Sequence, residues 1–121
     1  MDPEIRKAFE EVQRQSQETA VKVQLTEQQI QKYSGDKRRA ELTLAEVNQV
    51  PEDTRLFRAV GKCFVLETRS TVVSGLDNKV AECEKEVASL QNKRKWMEES
   101  LAQSKANVEE LLRQRQEMAS S

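Results

Sequence analysis

The residues able to do chemistry near neutral pH are few. The chain contains no histidine, which removes His-based triads, most zinc chemistry and the usual general base. Its two cysteines, Cys63 and Cys83, form no CxxC, so neither a zinc site nor a redox motif is indicated. Both read as small buried apolar side chains in a reducing compartment. The pairs Glu98–Glu99 and Glu109–Glu110 have the look of paired catalytic acids. Adjacent residues on a helix point in different directions, however, so these are surface charges. No enzyme activity, cofactor or metal is expected.

The cationic clusters are equally modest. Lys37–Arg39 ("KRR") and Lys93–Lys95 ("KRK") are short and have acidic neighbours; a DNA-reading basic helix needs a longer uninterrupted run. They read as solvated helical faces. A net charge of −1 gives no global field to draw the chain onto nucleic acid or an acidic membrane. No apolar run approaches the ~20 residues of a membrane span, and "MDPEIRKAFEE" is not a signal peptide. Neither a nucleic acid nor a membrane is expected as partner, and the default location is the cytoplasm. Trp96 reads as a residue flanking a helical seam and packed on a partner helix.

What elements carry these residues? Only 36% of the chain is hydrophobic and 34% is charged, against the ~45–50% and ~25% of ordinary globular chains. Such a chain buries no large core, and its apolar groups must form narrow seams. With Gly 3 and Pro 2 there are few places to turn. From Ile5, alternate steps of three and four give Phe9, Val12, Ser16, Thr19, Val23, Thr26, Ile30, Tyr33, Lys37, Ala40, Leu44 and Val47. That is the a/d seam of a coiled coil. Ser34–Gly35 predicts a soft point or kink, since Gly in a helix costs ~1 kcal/mol relative to Ala. Thr43–Glu46 fits a capping box at which the helix would restart, and Pro51 ends the arm at Val50.

A second run, from Leu76 through Val80, Cys83, Val87, Leu90, Arg94, Met97, Leu101, Ser104, Val108, Leu111 and Arg115 to Met118, keeps the same spacing. Thr68 or Ser70 caps its start. Each arm exceeds about 40 residues, hence ~60–70 Å at ~1.5 Å per residue. Folding back into an antiparallel pair buries both seams against each other and brings Met1 and Ser121 to one end.

Between the arms, Leu56–Ala59 and Cys63–Leu66 are β-prone runs flanking Val60-Gly61-Lys62. Gly61 supplies the positive φ that a tight turn requires, with the turn type open. Consecutive Phe64, Val65 and Leu66 suggest burial on both faces. An isolated hairpin is marginal in water and exposes unpaired edges, so this one reads as an assembly element joining neighbouring subunits. Leu56, Phe57, Val60, Gly61, Phe64, Val65 and Leu66 are its candidate contact residues.

Two heptad arms around "LFRAVGKCFVLE", with "RKAFEEVQ", "VKVQLTEQQI" and "LTLAEV" in the first arm, resemble the β-class subunits of the prefoldin family. The resemblance spans nearly the whole chain. It implies a mostly α fold: one prefoldin-like domain over residues 1–121, with a coiled-coil arm at 1–50, an assembly hairpin at 51–68 and a second arm at 69–121. It further implies an ATP-independent cochaperone within a heterohexamer of prefoldin subunits. Such a complex would hold unfolded actin or tubulin between its arms and hand it to the cytosolic chaperonin. Client contacts would then fall at the free arm ends, on Ile5, Ala8, Phe9, Val12, Val108, Leu111, Leu112 and Met118. Ala8 and Leu112, beside the seam, are the better candidates for exposed contacts. A coiled-coil scaffold or tether without chaperone activity is the alternative, and the hairpin separates the two because a tether has no need of one.

Overall fold

The computed structural model describes residues 2–120. Helix α1 runs Pro3–Gln49, strands β1 (Leu56–Val60) and β2 (Cys63–Glu67) form an antiparallel hairpin, and helix α2 runs Arg69–Ser120. Two compact units divide the chain: residues up to Gln29 with those from Leu90 onward, and Ile30–Ser89 with the hairpin.

In the first unit the two helices run antiparallel. Arg115 near the end of α2 pairs with Asp2 and Glu4 at the start of α1, and Arg94 pairs with Glu27. The expected meeting of Met1 and Ser121 concerns residues outside those described; the meeting of Asp2 with Arg115 is present. Asp2 has a second duty. Its Oδ1 accepts a hydrogen bond from the Glu4 amide at 2.9 Å, so it is the N-cap of α1, with Pro3 in the first helical position where its missing N–H is harmless. Ile5, Met97 and Val108 are buried along the seam. Thr26, 2% exposed, is a polar seam residue whose hydroxyl donates to the Lys22 carbonyl at 2.8 Å. A satisfied hydroxyl removes most of the penalty of burying it.

In the second unit Ala40 and Cys83 are buried in the seam, and Lys37 bridges to Glu84 at 3.1 Å. The expected restart of the helix fails here. The helix is not interrupted at Gly35, nor does it restart at Thr43; α1 is continuous. The Thr43 hydroxyl donates to the Arg39 carbonyl at 2.9 Å, one turn back, and so serves the helix interior instead of a cap. One glycine's ~1 kcal/mol is small against the seam contacts that hold the helix on both sides. Pro51 does end α1, and the Thr54 amide closes a turn onto the Pro51 carbonyl at 3.0 Å. Of the two caps proposed for α2, Thr68 is the one used: its Oγ1 accepts from the Thr71 amide at 3.2 Å.

Candidate assembly surface

The hairpin is joined by Gly61 and Lys62, with Gly61 at φ 59. Positive φ falls on glycine alone among the described residues. A two-residue loop with only its first position left-handed is a type II′ turn, whose twist matches that of the flanking strands. Both strands extend one residue beyond their expected ends, to Val60 and Glu67.

Register decides what each face presents. Phe57 pairs with Leu66 and Ala59 with Phe64, so these four share one face. Every member is apolar, and every one is exposed, Phe64 at 74%. On the other face lie Leu56, Arg58, Val60, Cys63, Val65 and Glu67. There Arg58 Nε donates to Glu67 Oε1 at 2.5 Å, across the diagonal of the ladder. The hairpin is therefore sided. The run Phe64–Val65–Leu66, expected to be buried on both faces, is exposed on both within this chain. Cys63, expected to be buried, is exposed as well, whereas Cys83 is 2% exposed as anticipated. Strand alternation puts Cys63 beside the turn with nothing above it.

An open groove lined by Thr43, Phe57, Arg58, Val72 and Leu76 separates hairpin from helices. The hairpin thus leaves its large side chains outward instead of laying them on the helix pair. Exposed apolar side chains at this density on one small sheet mark a contact surface.

The candidate tip residues divide in two. Ile5 and Val108 are buried; Ala8, Val12, Leu111 and Leu112 are half-buried; Phe9 and Met118 are exposed, Met118 at 73%. Ala8 and Leu112, expected to be the more open contacts, are less exposed than Phe9, a seam residue. The seam near these residues is closed by charge, with Arg115 Nη2 donating to Glu4 Oε2 at 2.6 Å.

No cluster of His, Cys, Asp and Glu suited to a metal ion occurs among the described residues, and no helix among them is long and apolar enough to cross a membrane. Three of the six residues in the short basic clusters are held in ion pairs: Lys37 with Glu84, Arg94 with Glu27 and Lys95 with Glu99. Trp96, expected to pack on the partner helix, is 69% exposed.

Comparison with known proteins agrees with this arrangement. A family model described as prefoldin subunit matches residues 10–115. The chain is 34% identical over 113 residues to prefoldin subunit 1 of Arabidopsis thaliana, covering 93% of this chain and 88% of that one. It is 32% identical to prefoldin subunit 1 of Danio rerio, covering 95% and 94%. Against prefoldin subunit 1 of Homo sapiens the identity is 30%, over 93% and 92%. Among solved structures, the prefoldin beta subunit from Thermococcus strain KS-1 superposes with a TM-score of 0.75 at 25% identity, covering 93% of this chain and 96% of that chain. With two long helices around a single hairpin and relatives of this kind over nearly its whole length, the chain belongs to the prefoldin family and has the fold of its β subunit.

Proposed function

We propose that the chain is one subunit of a heterohexameric prefoldin, in which the apolar hairpin face is buried against neighbouring subunits and the arms hold unfolded protein. The observation that carries this reading is the face formed by Phe57, Ala59, Phe64 and Leu66, wholly apolar and with every member exposed in the single chain. Burying a side chain the size of Phe contributes about 1.5–3 kcal/mol, enough, summed over such a face, to drive assembly. Neighbouring hairpins would also pair the free strand edges. The relatives named prefoldin subunit 1 support the subunit assignment.

The arms would bind clients by many weak apolar contacts, with no nucleotide and no covalent step. Actin and tubulin are the clients proposed, the cytosolic chaperonin the acceptor, and the cytoplasm the place. Phe9 and Met118 are the tip residues best exposed for the task.

The test is a tagged pull-down from cytosolic extract, with native mass of the purified complex. Five other small coiled-coil chains at one copy each, and chaperonin in lower yield, are expected. Recovery of the chain alone or as a homodimer would overturn the assembly reading and favour a tether.

A further inference from the structure

The midsection of the first unit carries a second surface, independent of the hairpin and of the tip. Trp96, the sole tryptophan of the chain, is largely exposed there. It stands at one side of a groove whose walls are Glu18, Thr19 and Lys22 from α1 and Lys93, Trp96 and Ser100 from α2. Met97, buried in the seam, forms part of its floor. Trp96 is thus a large apolar wall of the groove that the partner helix does not cover.

The charges in this groove have one uncommitted sign. Glu18 is held by Arg14 at 2.6 Å. Beside the groove, Arg94 is held by Glu27 and Lys95 lies 3.9 Å from Glu99. Lys22 and Lys93 make no ion pair among the described residues, and both face the groove. An exposed indole with two unpaired ammonium groups complements an apolar anchor flanked by carboxylates. Two lysines are too few for phosphate-backbone binding, whose affinity grows with the number of phosphates neutralised. A symmetric contact with a second copy would place the same lysines against each other.

We propose that this groove binds an acidic polypeptide segment carrying an aliphatic or aromatic anchor, with the anchor on Trp96 and the carboxylates on Lys22 and Lys93. Such a site would give the arm a charge preference among extended chains, which the apolar tip residues cannot supply.

Trp96 is its own reporter. The full-length chain is titrated with a synthetic peptide of alternating leucine and glutamate, and with its lysine counterpart, while tryptophan emission is recorded. The acidic peptide is expected to give a saturable blue shift that weakens in high salt, and the basic peptide none. The double substitution Lys22→Glu and Lys93→Glu should weaken the acidic peptide by about tenfold or more, with helical circular dichroism unchanged. Lys22→Gln with Lys93→Gln should fall between the two. Equal shifts with both peptides, no saturable shift, or indifference to the charge reversal would each overturn the proposal. So would a shift produced by a single-stranded oligonucleotide, or by raising the chain's own concentration, when the acidic peptide produces none.

Discussion

Arg69, the first residue of α2, donates from Nη1 to the carbonyl of Val47 in the last turn of α1 at 2.9 Å. Its Nη2 reaches the Val50 and Pro51 carbonyls at 2.7 and 2.6 Å. Carbonyls at a helix C-terminus lack intrahelical partners and carry the negative end of the dipole. One guanidinium therefore caps α1 while starting α2, fixing both ends of the hairpin's base. Arg69→Ala should destabilise the chain by about 2–3 kcal/mol, since hydrogen bonds from charged groups are the strong ones. Arg69→Lys should recover less than half of that, because an ammonium cannot fork across carbonyls. Urea unfolding followed by circular dichroism measures both; a lysine variant as stable as the parent would show that charge alone suffices.

The glycines should respond in opposite directions. At Gly61, φ 59 makes any side chain strained, so Gly61→Ala should cost about 1–2 kcal/mol and weaken assembly with it. Gly35 and Gly75 lie inside helices, and a Cβ at either meets nothing within 4 Å. Alanine there should stabilise by about 0.5–1 kcal/mol each. Thermal melts of the three single variants distinguish these signs, and a stabilising Gly61→Ala would contradict the turn geometry.

Much of the fold was legible from spacing. The residues taken at alternate steps of three and four are buried or half-buried throughout, with Phe9 and Met118 as exceptions near the two helix ends. Heptads are legible because a seam repeats, and errors at single positions average out. The continuity of α1 was not: Gly35 and Thr43 carry true local signals of interruption, and only the packing on either side overrides them. Nor could spacing show that Arg115 meets Asp2 and Glu4, since long-range ion pairs leave no period. The Asp2-Pro3 start of α1 carries its own signal, a capping residue followed by a first-turn proline. At the hairpin, the residue types showed stickiness, but only the register Phe57↔Leu66 and Ala59↔Phe64 revealed that one face is wholly apolar.

That face makes a sharp test of assembly. Phe57→Asp or Phe64→Asp places a carboxylate where a neighbouring subunit would bury a ring, and each should abolish recovery of the hexamer. Helical content should persist, because neither ring supports the helix seams. Arg58→Ala, on the opposite face, removes the exposed bridge to Glu67, and exposed pairs contribute little; it should leave the hexamer nearly intact. Native mass spectrometry of reconstituted subunits reads all three. Intact hexamers with both aspartates would exclude the apolar face as the contact.

Two local clusters should keep their charge to lower pH than an ordinary glutamate does. Glu11 has its pKa lowered, chiefly by the hydrogen bond it accepts from Arg14, and Glu110 has its pKa lowered chiefly by Arg113. A carboxylate depressed on folding adds stability above its unfolded pKa, and that contribution is lost as pH falls through the folded pKa. Both pairs are solvent-exposed, so the effect is local and screened by salt. NMR titration should find both carboxyls below the ordinary glutamate range. Arg14→Gln should return Glu11 to that range and leave Glu110 where it was, because the two clusters share no partners. Joint movement would mean that the two clusters, one on each helix, are coupled.

At the tip, exposed and buried residues should separate function from stability. Phe9→Ser and Met118→Ser change side chains that are already open to solvent, so stability should move by under about 1 kcal/mol. If the tip holds clients, suppression of aggregation of a denatured client, followed by light scattering, should weaken several-fold in the double variant. Ile5→Ser removes a buried seam residue instead and should cost about 2–4 kcal/mol. Arg115→Ala, which releases Asp2 and Glu4, should loosen the arm end and raise client holding, since the half-buried Val12 and Leu111 become available as the seam opens. Removing residues before Phe9 and after Leu111 should preserve assembly while lowering holding. Unchanged holding in both the double variant and the trimmed chain would move the client site away from the arm ends.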